Sequence, residues 1–106
     1  LRHWILAFSS DEVKQFGSNV YPMLEHIARQ AAAYYGSQYQ IIYAVHMDQD
    51  NPHIHFVMNT VNYVTGRKYP GDKADYYAYQ KHLKDILHPY GLYMMAVSDD
   101  GNRSDF

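Results

Sequence analysis

Apolar residues along this chain switch between a two-residue and a helical period, and the switches mark out its elements. His3–Phe8, His-Trp-Ile-Leu-Ala-Phe, is rich in β-forming side chains and predicts a first strand. Ser9–Gly17 reads as a polar connection. From Asn19 to Tyr35 the period is helical, with Val20, Leu24, Ile27, Ala31 and Tyr34 on one stripe. Ser18 is the candidate cap, Pro22 is tolerable only in the first turn, and Gly36 is a plausible stop. Residues 39–48 and 53–63 are β-branched and aromatic and predict two strands. Gln49-Asp50-Asn51-Pro52 between them is a turn cluster that cannot continue a ladder. Thr65-Gly66-Arg67-Lys68 reads as a turn or loop. A second helix is predicted over Asp72–Leu87, with Asp72 near its cap and Tyr76, Tyr79, Leu83, Ile86 and Tyr90 on its buried side. Pro89 and Gly91 end it, Leu92–Val97 reads as a last strand, and Ser98–Phe106 as a polar tail.

The resulting order, β-α-β-β-α-β, predicts an α+β fold: an antiparallel sheet with helices packed on one face. At 106 residues a single domain is expected, large enough to bury a core. A chain that opens directly on a strand points to a fragment of a longer protein.

Composition then narrows the function classes. The formal charge of −2 argues against a free-standing, sequence-blind DNA binder, so any nucleic-acid contact is expected to be local. No apolar run approaches membrane-spanning length, and no membrane partner is expected. With no cysteine there is neither a disulfide framework nor a thiolate metal site. Twelve tyrosines is a high count; the type stacks on bases or acts as a nucleophile, but more often packs half-buried.

The candidate chemistry lies at the predicted hairpin, His46-Met47-Asp48-Gln49-Asp50-Asn51-Pro52-His53-Ile54-His55. If residues 49–52 close it, His46 lies opposite His55, and Asp48 opposite His53. Alternation along each strand then gives one face to His46, Asp48, His53, His55, Val57 and Asn59. The other, core-side face takes Ile41, Tyr43, Val45, Met47, Ile54, Phe56 and Met58. Cross-strand Cβ atoms are roughly 4.5–5.5 Å apart, so three imidazoles can converge on one ion. Three neutral imidazoles suit several divalent metals and leave positions open for water or substrate, which is a catalytic arrangement. A closed structural zinc site is not expected, because no fourth cysteine or histidine falls in register nearby.

Other residues carry weaker signals. Asp48 either orients His53 through an imidazole N–H or is an ordinary turn-flanking aspartate. Asn59 either orients a ligand or is a solvated strand residue. Arg67, Lys68 and Tyr69 form either a phosphate-holding, base-stacking contact with DNA or a solvated turn. Tyr77 shares a helix face with Lys81, Lys84 and His88; a lysine one turn from a tyrosine can stabilise a phenolate, though a tyrosine-rich chain makes such pairs easily.

The pattern H-x-D-x-x-x-P-H-x-H-x-x-x-N from His46 to Asn59 resembles the metal motif of the relaxases of plasmid mobilisation and conjugation. These are DNA-nicking enzymes of the histidine–hydrophobic–histidine (HUH) endonuclease superfamily. The opening strand Arg2–Ser9, the segment Val61–Lys68 and Pro89–Leu92 resemble the flanking parts of a MobA-like relaxase domain, in the same order. The resemblance implies an HUH-type sheet with its metal site on the face opposite the helices. It implies that His46, His53 and His55 hold magnesium or manganese, with zinc or another transition metal able to substitute. It implies site- and strand-specific nicking and rejoining of single-stranded DNA at a plasmid or mobile-element transfer origin, through a tyrosyl-DNA intermediate. Other relaxosome proteins would be partners and the bacterial cytoplasm the location. In such relaxases the nucleophilic tyrosine lies near the N-terminus, upstream of the strand that opens this chain. No tyrosine here stands at that position, so the expectation is an N-terminally truncated domain, metal site intact and nucleophile missing. The alternatives are a rolling-circle replication initiator using Tyr77, a non-catalytic metal-stabilised DNA-binding module, or a metal hydrolase of small phosphoesters.

Overall fold

A computed structural model describes residues 1–47, 51–93 and 96–100. Its strands are β1 (Arg2–Ala7), β2 (Ile41–His46), β3 (His53–Met58) and β4 (Ala96–Asp100). Its α-helices are α1 (Ser10–Lys14), α2 (Val20–Gly36) and α3 (Lys73–Leu87), with 3-10 turns at Gly17–Asn19 and His88–Tyr90. The fold is α+β, and the four strands form one antiparallel sheet in the order β2-β3-β1-β4.

Alternation builds the core. Trp4, Leu6 and Phe8 project to one side of β1 and just beyond it, and Ile54, Phe56 and Met58 project to the same side of β3; all six are fully buried. The Trp4 indole stacks on Phe56 at 5.2 Å and meets Tyr79 of α3 edge-on at 5.7 Å. Helix α2 covers this side with Leu24, Ile27, Ala28 and Ala31, and α3 adds Tyr79, Leu83 and Leu87. Tyr43 of β2 donates to Glu25 Oε1 at 3.0 Å, tying the outer strand to α2. That bond, with Arg29 beside it, holds the Glu25 carboxyl below its usual pKa.

Several expected boundaries move, each for a local reason. The supposed polar connection holds α1, because the Ser9 hydroxyl accepts from the Glu12 amide at 3.1 Å and caps a turn. Helix α2 starts on the 3-10 turn at Gly17–Asn19 rather than on a Ser18 cap, and its N-cap Asn19 makes no side-chain hydrogen bond. Leu24, Ile27 and Ala31 of the predicted stripe are fully buried, but at its C-terminal end Tyr35, 5% exposed, takes the interior in place of Tyr34, 36% exposed. Tyr35 wins the interior because its hydroxyl meets Arg2, Tyr69 and Asp75. Strand β3 stops at Met58 rather than Tyr63, because the Asn59 side chain accepts from the Val61 amide at 3.0 Å and turns the chain. The last strand is Ala96–Asp100; Leu92 instead lies buried in the connection that precedes it.

The hairpin register also differs. His46 pairs with His53 and Ala44 with His55, so the connection is two residues longer than Gln49–Pro52 alone. The displacement is two residues, the period of a strand, so the side chains within β2 and β3 keep their expected faces.

Candidate metal centre

The histidine site stands on the sheet face away from the helices. Odd-numbered residues of β1 and β3, and even-numbered residues of β2, point there, opposite to the buried Trp4 and Phe56 set. His46, His53 and His55 come together with ring centroids 4.9 Å (His46–His53), 4.4 Å (His46–His55) and 4.8 Å (His53–His55) apart. One nitrogen from each lies within 4.8 Å of the others. Some point is then within about 2.8 Å of all three (4.8/√3), against metal–imidazole bonds of about 2.0–2.1 Å. A small movement of each ring closes that difference, so the residues fit a metal ion.

Hydrogen bonds bear on which nitrogen His53 and His55 present. His53 Nδ1 lies 3.1 Å from the Asn51 carbonyl oxygen. A carbonyl only accepts, so Nδ1 carries the proton and Nε2 keeps its lone pair for a ligand. His55 Nδ1 lies 3.1 Å from Nε2 of His3, and the two rings stack at 5.3 Å. His55 presents its Nε2 lone pair when its own Nδ1–H donates to His3. Burial, followed by the neighbouring His46, His53 and His3, lowers the His55 pKa and favours the neutral ring that a metal needs.

His3 is the residue that sequence reasoning missed. It was read only as the first residue of a strand. The signal was its odd position on β1, but using it required knowing that β1 lies next to β3. It also corrects the view that no fourth histidine falls near the cluster: His3 does, placed behind His55 as a partner to its ring.

The remaining candidates are scattered. Asp48 lies outside the described residues. Asn59 is on the histidine side, but its amide is engaged with the Val61 amide and, at 3.5 Å, with Gln40. Tyr77 is 66% exposed on α3, a helix packed against the covered side of the sheet, so the sheet separates it from the histidines. Lys81 pairs with Asp85 at 3.0 Å instead of supporting Tyr77. Tyr69 cannot serve as a stacking platform, a correction to its expected DNA-binding role. It is 9% exposed, with its hydroxyl held between Arg2 and Asp75. Arg67 and Lys68 stay exposed. Burial pushes the phenol pKa values of Tyr35, Tyr69 and Tyr79 up, and all three rings lie in the core.

An antiparallel sheet covered by helices on one face, with three convergent imidazoles on the other, defines a protein class able to hold a metal ion half open to a ligand. The sequence matches the family model of the MobA/VirD2-like relaxase nuclease domain over residues 1–92, and the chain belongs to that family. It is a family of DNA-nicking nucleases of mobilisation, acting on single-stranded DNA at an origin. A comparison with curated proteins returns no match. Among the described residues no helix is long and apolar enough to cross a membrane.

Proposed function

We propose that this chain is the metal-binding core of a relaxase that nicks and rejoins one DNA strand at a transfer origin. His46, His53 and His55 hold the divalent cation, magnesium or manganese. The observation that carries this reading is the convergence of three imidazole nitrogens within 4.8 Å on the sheet face opposite α2 and α3. When bound, the ion supplies Lewis-acid polarisation and a template for the scissile phosphate. The Asn51 carbonyl orients His53, and His3 orients His55, so ligand nitrogens need little reorganisation.

The covalent step is a transesterification. A tyrosine oxygen bonds to phosphorus, the bond to the 3′ oxygen breaks, and the phenolic proton ends on the freed 3′ hydroxyl. The product is a 5′-phosphotyrosyl link, and the reverse step rejoins the strand. None of the twelve tyrosines projects from a strand on the histidine face: β1 and β3 contain none, and Tyr43 of β2 points to the core side. We assign none of these tyrosines as the nucleophile. The placement of Tyr77 disfavours the rolling-circle alternative.

Manganese titration and a covalent-adduct assay test this together. Wild type should bind manganese at neutral pH, and His53→Ala should lose at least about tenfold in affinity. Affinity should fall in mildly acid solution, because protons compete with the metal for the imidazole nitrogens. With its lowered pKa, His55 stays ligand-competent to more acid pH than an unperturbed imidazole. This chain should form no denaturation-resistant adduct with single-stranded oligonucleotides. Binding unchanged at pH 5, or in His53→Ala, would overturn the metal centre. An adduct that disappears in Tyr77→Phe would overturn the assignment of the nucleophile.

A further inference from the structure

Away from the histidines, residues 61–68 fold into a short finger. Val61 bridges Lys68, and the Asn62 amide donates to the Arg67 carbonyl at 2.8 Å. Asn62 is 5% exposed and knots the finger: its Oδ1 accepts from the Val64 and Thr65 amides, and its Nδ2 donates to Gln38. Gly66, at φ +76°, supplies the left-handed residue of the tip. Tyr63 is fixed at both ends, its amide donating to the Gln38 carbonyl at 2.8 Å and its hydroxyl to the Gly36 carbonyl at 2.7 Å. Its ring is nevertheless 55% exposed. A rigid, exposed aromatic ring has lost little freedom that binding would have to remove.

Tyr63 forms one wall of an open groove of about 730 Å³ that runs over the end of the sheet from Gly36 of α2 and Ile41 to Ile42 and Val57, with Gln40 and Asn59 as amides. Ile42 and Val57 are cross-strand partners on the histidine face. Val57 follows His55 by two residues, about 7 Å along β3. A strand whose phosphate lies at the histidines therefore reaches the groove within a few nucleotides, at about 3.4 Å per stacked nucleotide. Charge agrees with this. Residues 36–47 and 51–71 contain no aspartate or glutamate, although the whole chain is net acidic, and Arg67 and Lys68 stand on the same finger.

We propose that this groove is a nucleobase subsite. A base of the bound single strand stacks on Tyr63, its sugar lies against Ile42 and Val57, and Arg67 and Lys68 neutralise the adjoining phosphate. The assignment rests on the proposed relaxase reading. It moves the stacking role from Tyr69, which is buried, to Tyr63.

Two measurements with homopolymer probes test it: anisotropy titration with labelled dT12 in manganese, and photocross-linking of a dT12 carrying one 5-iododeoxyuridine. Cross-links should map to the peptide containing Tyr63. Tyr63→Ala should weaken dT12 binding about tenfold, the scale of one base–aromatic stack, and Tyr63→Phe should stay within about threefold of wild type. Ile42→Glu is a second variant at a surface position, 70% exposed, and should weaken binding by repelling the strand whether or not Tyr63→Ala folds. Tight dT12 binding with cross-links elsewhere and both variants within twofold of wild type would overturn the subsite alone. Failure of wild type to bind dT12 would overturn the relaxase reading with it. If Ile42→Glu turns a dimer into a monomer while DNA binding is unchanged, the groove is a contact between copies and the subsite is wrong.

Discussion

His3 shows how much a single side chain contributes from behind a site. It lies outside the three-histidine cluster, yet its Nε2 lies 3.1 Å from Nδ1 of His55, and when it accepts from that nitrogen the His55 Nε2 lone pair stays free. Removing it leaves His55 free to rotate and to adopt the wrong tautomer, an effect that typically costs about 10- to 100-fold in metal affinity. His3→Ala should therefore weaken manganese binding on that scale with the fold intact, and His3→Gln, whose carbonyl still accepts, should recover part of it. Isothermal titration beside a melting curve checks this; equal affinity in His3→Ala would show that the contact is incidental. The clustering of the three histidines was legible in the sequence because their spacing and the strand period alone put them on one face. His3 was not, since its role depends on a neighbour 52 residues away.

The elements owe their limits to short-range hydrogen bonds. Helix α3 begins where Asp72 Oδ1 accepts from the Asp75 amide at 2.8 Å, as its position ahead of an apolar stripe foretold. Asp72→Ala should cost about 1 kcal/mol of stability, read as a shift in the denaturation midpoint with an unchanged slope. A cost near zero would mean that tertiary packing alone holds the start of α3. Asp75 itself is bound from the other side by the hydroxyls of Tyr35 and Tyr69, so the cap and the Arg2–tyrosine network meet at one turn. The hairpin teaches the complementary lesson. Its connection is two residues longer than the turn cluster alone, yet the histidines still share a face, because an even displacement leaves side chains on their faces. A displacement of one would have buried the histidines.

At the scale of the whole molecule the sheet is a partition. One face is sealed by α2 and α3 around Trp4, and the other carries the histidines and the groove beside Tyr63. Trp4 joins the layers by stacking on Phe56 and meeting Tyr35 and Tyr79 edge-on, with the Arg2 guanidinium 4.6 Å from its ring centroid. Trp4→Ala should cost about 3–5 kcal/mol, a large share of the roughly 5–15 kcal/mol typical of whole-domain stability. Chemical denaturation measures it, and a loss under 1 kcal/mol would place the centre of the core elsewhere. The same partition explains why Tyr77 is far from the chemistry despite its suggestive neighbours. Helical periodicity identifies which residues share a face but not which side of a sheet the helix will cover.

By itself the sequence determined the α+β class, the shared face of His46, His53 and His55, and the relaxase-like motif, because those follow from periods of two and 3.6 residues and from spacing within one hairpin. Only the tertiary structure decided that His3 backs His55, that Tyr69 is buried while Tyr63 is presented, and that Tyr77 lies behind the sheet. Those outcomes depend on which strands become neighbours and on which hydroxyls find partners in the interior, and both are set by contacts between residues far apart in the chain.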